Sequence, residues 1–339
     1  MNTQKTSFQT VLDSLLDTKK DFPRPYLNLF SDMGSLELQT LQEVWPRVGL
    51  SQKLSLLEEL ESLAGEDTLV SFEDFARSLL DDPDAAVRIR ALRLLNESED
   101  VKLIAAIVHL MKHDADANVR AEAATALGHF VALGELDEIP GEAYSQVQAG
   151  LLESARGKDE AHIKRQALES LGFSSDDEVV KVIEAALNKR ESEWQASALK
   201  AIGRSADDRW EEEVLFGLAD ADNRVRLAAV QAAGNLALKS ARIILLRMLE
   251  EQDDDADVTA SAIWSLSQIG GEDVRTYLEN LLDQTEDDDQ AEFLEEALDN
   301  LTFTEDLDRF ELMSFNPDEL DDFEDDEEDS EDEDEQDDK

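Results

Sequence analysis

Apolar and polar positions along the chain follow one short pattern that returns at a near-constant interval. An acidic residue is followed three positions later by a bulky apolar residue, often next by a base, and then by Ala four positions after the apolar one. The copies are Asp84-Val87-Arg88-Ala91, Asp116-Val119-Arg120-Ala123, Glu160-Ile163-Lys164-Ala167, Glu191-Trp194-Gln195-Ala198, Asp222-Val225-Arg226-Ala229 and Asp255-Val258-Thr259-Ala262. A degenerate seventh copy centres on Phe293 and Ala297. Successive anchors, from Val87 to Phe293, are 32, 44, 31, 31, 33 and 35 residues apart. A period of this size predicts a stack of two-helix units.

Counted from each anchor, the apolar positions are 0, +4, +5 and +8, as in Val119, Ala123, Ala124 and Leu127. At 100° per residue they share one broad helical face, which predicts that the anchor lies on the second helix of each unit. A first helix precedes it, for example over 101–112 or 241–250, with an acidic turn between. The 44-residue step predicts a longer loop around Gly134–Gly141. Glycines at +9 (Gly128, Gly172, Gly203, Gly234), with Ser267 in the sixth copy, predict close approach of a neighbouring helix or a late bend. Residues 1–65 depart from the pattern. Short helices are expected near Val11–Leu16, at 35–45 and at 51–64, forming an N-terminal helical cap. The repeats occupy 66–303. Residues 304–339 form a tail, nearly all Asp and Glu from Asp318, that is expected to be disordered. The expected fold class is therefore all-α: an α-solenoid of about seven helix pairs with an N-terminal cap and an acidic C-terminal tail.

The strings Asp116-Ala-Asn-Val119-Arg120-Ala-Glu-Ala123-Ala-Thr-Ala-Leu127-Gly128 and Asp257-Val258-Thr-Ala-Ser-Ala262-Ile-Trp264-Ser-Leu266 resemble HEAT repeats. They are similar to the HEAT-like form of phycobilisome lyases, and to bacterial HEAT-repeat proteins of unassigned function. The resemblance implies protein–protein interaction, with the second helices lining a concave surface.

Charge changes the picture of the partner. The chain carries 82 acids and 31 bases, a net of −51, of which −19 falls in 304–339 and −32 in 1–303. Such a field repels phosphate backbones, so nucleic acid is excluded as a general partner and a basic protein is favoured. There is no cysteine, which excludes disulfide and thiolate chemistry. The N-terminus lacks an apolar signal core, and no apolar run approaches the ~18 residues of a membrane span. The expectation is a cytoplasmic monomer with no membrane association.

Candidate chemistry is sparse. His109 and His113 share a helix face without a clear third ligand, and 253–255 and 286–289 lack the Gly and spaced Glu of a calcium loop. No Ser/His/Asp set can be nominated, and no phosphate-cradling loop is present. No cofactor, metal or enzymatic activity is expected. The repeated acid is expected to cap the second helix, and the base after the anchor to form a ladder between repeats. An anion-binding row is the alternative.

The outward positions +6 and +10 carry the binding candidates. The +6 row reads Arg93, Thr125, Glu169, Lys200, Gln231 and Trp264; the +10 row includes Phe173, Arg204 and Gln268, beside Glu97, His129 and Asn235. Trp, Phe and Arg are types that anchor interfaces. The alternative for Trp264 is packing over the next repeat, and for Phe173 a plug at a helix end. Three functions are consistent with this surface: a protein-binding scaffold or adaptor whose acidic tail steers basic partners, a HEAT-like subunit of a bilin lyase or other partner-modifying complex, or a chaperone for basic proteins.

Overall fold

Asp at −3 starts the second helices because its short carboxylate reaches the free amides of the first turn. The Asp84 side chain accepts from the Ala86 N–H at 2.9 Å, Asp116 from Asn118 at 2.8 Å, Asp222 from Arg224 at 3.0 Å and Asp255 from Asp257 at 3.0 Å. Glu160 and Glu191 occupy the same position and make no capping bond. The capping expectation fails there for a simple reason: the extra methylene carries the carboxylate past the amides. A second acid, at −5, completes the turn. Asp82, Asp114 and Asp220 accept the backbone N–H of the capping Asp at 2.9, 2.8 and 2.8 Å.

The computed structural model describes residues 8–20, 22–251 and 255–314, with side chains to 307. Its regular elements are all helical among these residues. By its internal contacts the chain divides into two units, Met1–Asp207 and Asp208–Lys339.

In the first unit, α1 (Phe8–Leu16), α2 (Ser35–Val44) and α3 (Leu50–Glu66) precede four helix pairs. These are α4 (Glu73–Arg77) with α5 (Ala85–Leu94), α6 (Ile104–His113) with α7 (Ala117–Glu135), α8 (Gly141–Arg156) with α9 (Ala161–Leu171), and α10 (Asp177–Leu187) with α11 (Ser192–Ile202). The second unit holds three pairs: α12 (Glu211–Gly217) with α13 (Asn223–Asn235), α14 (Arg242–Glu251) with α15 (Ala256–Ile269), and α16 (Glu272–Gln284) with α17 (Asp288–Ser314). The second helix of each pair lies beside the next within a unit: α5 on α7, α7 on α9, α9 on α11, α13 on α15, α15 on α17. The extra residues of the 44-residue step do not form a long loop. They lengthen α7 to 19 residues and α8 to 16, joined by 136–140. Burying apolar faces on longer helices is more favourable than leaving that chain as solvated loop. Helix α17 continues through Ser314, and Arg275 of α16 pairs with Glu305 at 2.7 Å. The expected tail therefore begins as helix over 304–314, and residues 315–339 lie outside the described residues.

The 0, +4, +5 and +8 positions form the core. Val119, Ala123, Ala124 and Leu127 are fully buried, as are Val87, Ala91, Leu92 and Leu95, and Ile163, Ala167, Leu168 and Leu171. Each Val or Leu withdrawn from water contributes about 1.5–3 kcal/mol. In the seventh copy the buried residue is Leu294, and Phe293 is only half-buried.

Three polar or steric registers join one repeat to the next. In the first, the +1 base grips an acid in the turn of the following repeat. Arg88 donates to both Asp114 carboxylate oxygens at 2.8 and 2.7 Å, and Arg120 to both of Asp159 at 2.8 Å. Each also donates to a carbonyl of its own turn, Arg88 to Asp82 at 2.7 Å and Arg120 to Asp114 at 2.9 Å. The cap joins the same ladder, since Lys53 of α3 reaches Asp82 at 2.9 Å and Trp45 Nε1 donates to it at 2.7 Å. In the second register, +6 meets +3 of the next repeat. Arg93 donates to Glu122 at 3.2 Å, Thr125 to Gln166 at 2.9 Å, and Ser197 donates to Glu169 at 2.5 Å.

In the third register, the small residue at +9 admits residue +7 of the next second helix. A Cβ on Gly172 would lie 2.5 Å from the Ala201 carbonyl oxygen and 2.6 Å from its Cα. Where Ser267 replaces Gly, Asn300 donates to its hydroxyl at 2.9 Å. Backbone cannot swing aside as a side-chain tip can. Gly172→Ala is therefore expected to cost about 1–3 kcal/mol through overpacking. At Gly128 the nearest atom to an added Cβ is the Ser170 hydroxyl at 3.2 Å. Gly128→Ala should be near neutral, because better helix propensity offsets the tighter contact. Urea midpoints of the two variants check this, and equal losses would show that +9 is not a backbone-contact position.

Candidate functional site

The nine expected site residues fall into six in the first unit and three in the second. In the first unit Arg93 and Thr125 are engaged by the lateral bonds to Glu122 and Gln166 just described. These bonds tie neighbouring repeats; Thr125 is engaged by its bond, whereas Arg93 uses one of its five N–H donors and its side chain stays 45% exposed. Glu169, Phe173, Lys200 and Arg204 gather on α9, α11 and the turns that follow them. Glu169 is buried, held by Ser197 and facing the exposed Lys200 ammonium at 3.7 Å. Arg204 donates to the Glu169 carbonyl at 2.8 Å, and its guanidinium lies 5.3 Å from the Phe173 ring centroid. Phe173 thus packs at the end of α9 against a cation.

The second unit brings Gln231, Trp264 and Gln268 together in one cleft of about 380 Å³, along with Asn235, Ser261 and Phe293. The helical register explains the placement. Position +6 on α15 points away from the buried positions, so Trp264 remains 39% exposed while Val258, Ala262 and Leu266 are buried. The indole stacks on Phe293, with ring centroids 6.5 Å apart and planes at 28°. Phe293 could not be placed here from sequence, because the repeat register assigns it to the core. The signal was the adjacent Leu294, an alternative anchor one residue on. Ser265 secures the floor by donating to the Val230 carbonyl at 2.8 Å.

All the side chains lining this cleft are uncharged, in a chain of net charge −51. Three carboxamides, of Gln231, Asn235 and Gln268, and an aromatic wall make a different kind of site from an acid–base pair. Gln231 and Gln268 each offer a donor and an acceptor, matched to a peptide group, and the ring pair offers an apolar face. His109 and His113 lie side by side on α6, ring centroids 4.9 Å apart, and no group of three or more potential metal ligands occurs among the described residues. No helix there is long and apolar enough to cross a membrane.

Comparison with known proteins matches the family model described as HEAT repeats to residues 73–140 and 211–299. No curated protein sequence matches the chain. Among solved structures, the complex of CpcE and CpcF of phycocyanin lyase from Nostoc is 18% identical, with a TM-score of 0.46, covering 68% of this chain and 94% of that one. YibA of E. coli is 15% identical, with a TM-score of 0.43, covering 84% and 98%. Importin beta is 14% identical, with a TM-score of 0.42; 87% of this chain aligns to 41% of that one.

Proposed function

This chain is a HEAT-repeat protein, and from that premise we propose that it is a non-enzymatic scaffold whose second helices hold a segment of another protein. The observation that carries the reading is the uncharged cleft around Trp264 and Phe293. A neutral, half-apolar cleft on a strongly anionic chain suits a peptide read by its backbone and one apolar side chain, while the acidic residues elsewhere steer basic partners toward it.

The test is a photo-crosslinking residue placed at Gln268 of the full-length chain, with and without Trp264→Ala. One discrete cross-linked protein is expected. Its purified form should lose about thirty-fold in affinity with Trp264→Ala, equivalent to ~2 kcal/mol. The melting temperature should barely move, because Trp264 is partly exposed. A large fall in melting temperature would identify Trp264 as packing and remove the centre of the site. Capture of a bilin-bearing protein would favour a lyase-type role. Capture of many basic clients, lost on deleting 318–339, would favour a chaperone.

A further inference from the structure

One rung of the ladder in the first unit is inverted. From the cap to the third repeat, each junction pairs a base with an acid: Lys53 with Asp82, Arg88 with Asp114, Arg120 with Asp159. At the next junction the base is Lys164, at +1 of α9. The positions that should supply the acid, −5 and −4 from Trp194, hold Lys189 and Arg190. Both ammonium groups face the same indole: Lys189 Nζ lies 2.8 Å from the Trp194 ring centroid and Lys164 Nζ 5.9 Å. Arg165 is also 5.9 Å from that centroid, but it is taken by Glu193 at 2.9 Å. Neither Lys164 nor Lys189 forms an ion pair or a side-chain hydrogen bond with any described residue. Burial pushes the Lys189 ammonium below the usual lysine range, Lys164 and Arg165 push it further down, and Glu191 opposes them.

Two like charges beside one ring, where each earlier junction holds a bound carboxylate, cost stability unless an anion joins them. We infer that the gap between Lys164 and Lys189 is a docking point for an acidic segment of a partner protein, which inserts one Asp or Glu carboxylate where the chain's own aspartate stands in the other rungs. Each of the three filled rungs takes a single aspartate carboxylate, and the Trp194 ring lies beneath both ammonium groups here. A long polyphosphate is disfavoured by the surrounding charge. A short acidic peptide is less affected, because at 0.15 M salt charges beyond about 8 Å are screened and the two lysines dominate. This surface belongs to the first unit and shares no residue with the Trp264 cleft of the second, and it would give the scaffold a second, oppositely charged specificity.

The probe is a fluorescein-labelled hexaglutamate peptide, read by anisotropy against the full-length chain at 0.15 M salt. Saturable binding is expected. Lys189→Asp should restore the pair with Lys164, weaken the peptide at least about tenfold and leave the melting temperature level or higher. Lys164→Ala should weaken it to a similar extent, and Trp264→Ala should leave it unchanged, so that failure of the cleft and failure of this slot are told apart. No binding to the unmodified chain, or equal binding to Lys189→Asp, would overturn the inference. So would displacement of the peptide by inorganic phosphate or an oligonucleotide at equal concentration, since the slot would then be a phosphate site.

Discussion

Trp194→Ala is expected to destabilise the first unit by about 3–5 kcal/mol, far more than Trp264→Ala destabilises the second. The indole is the anchor of the fourth repeat and only 6% exposed, on α11 where that helix lies beside α9. No other anchor is so large, so no neighbouring side chain can fill the space. The truncation also removes the ring that faces Lys164, Arg165 and Lys189, leaving three cations closer to one another's fields. Urea unfolding of Trp194→Ala beside Trp264→Ala is the measurement. A loss under about 1 kcal/mol at Trp194 would mean that the fourth repeat adds little to the unit.

Asp82→Asn should cost nearly as much, about 3–5 kcal/mol, though it removes no volume. Its side chain is 2% exposed and that of Lys53 is 9% exposed, so loss of the carboxylate strands a buried ammonium. The same group gives a pH signature. Burial alone would raise the Asp82 pKa, but Lys53, the Asp84 amide and Trp45 Nε1 together outweigh it and hold the carboxyl below the usual aspartate range. The stabilisation is therefore full above the unfolded aspartate pKa of about 3.9, and it is lost as pH falls through the lower folded value. The difference in unfolding free energy between the unmodified chain and Asp82→Asn should be constant from pH 7 to about 4.5 and shrink below pH 4. A difference that did not shrink in acid would assign the cost to lost geometry instead of lost charge.

The features legible from sequence are those that repeat with a fixed offset. Val119, Ala123, Ala124 and Leu127 predict a buried face because burial depends on helical angle alone, and the glycines at +9 predict close approach because only size matters there. The ladder from Arg88 and Arg120 was legible as a base beside the core, although its acceptors, Asp114 and Asp159, stand at −5 and −4 and do not share one register. Glu160 and Glu191 matched the capping pattern as acids but not in reach. Phe293 was assigned to the core on spacing, and the structure instead turns it to stack on Trp264. The separation of the candidates into an ion-bonded group around Glu169 and an uncharged cleft around Trp264 depends on side-chain direction, which a row of offsets does not carry. Lys189 carries no signal in the sequence, because the −5 acid it replaces shows its role only through the turn bonds of Asp82, Asp114 and Asp220.

The three registers also bear on how the chain is made. Each bond that crosses a repeat boundary within a unit joins a residue to a partner about one repeat away: 26 positions for Arg88 with Asp114, 39 for Arg120 with Asp159, 35 for Ser265 with Val230. At a synthesis rate of about 5–20 residues per second, a repeat takes seconds to emerge, whereas a helix forms in about a microsecond. A newly emerged pair can therefore settle on the pair before it without waiting for distant sequence. The nascent chain then presents one unfinished helix edge to the ribosome's surroundings at any moment, and each new repeat covers the edge left by the last.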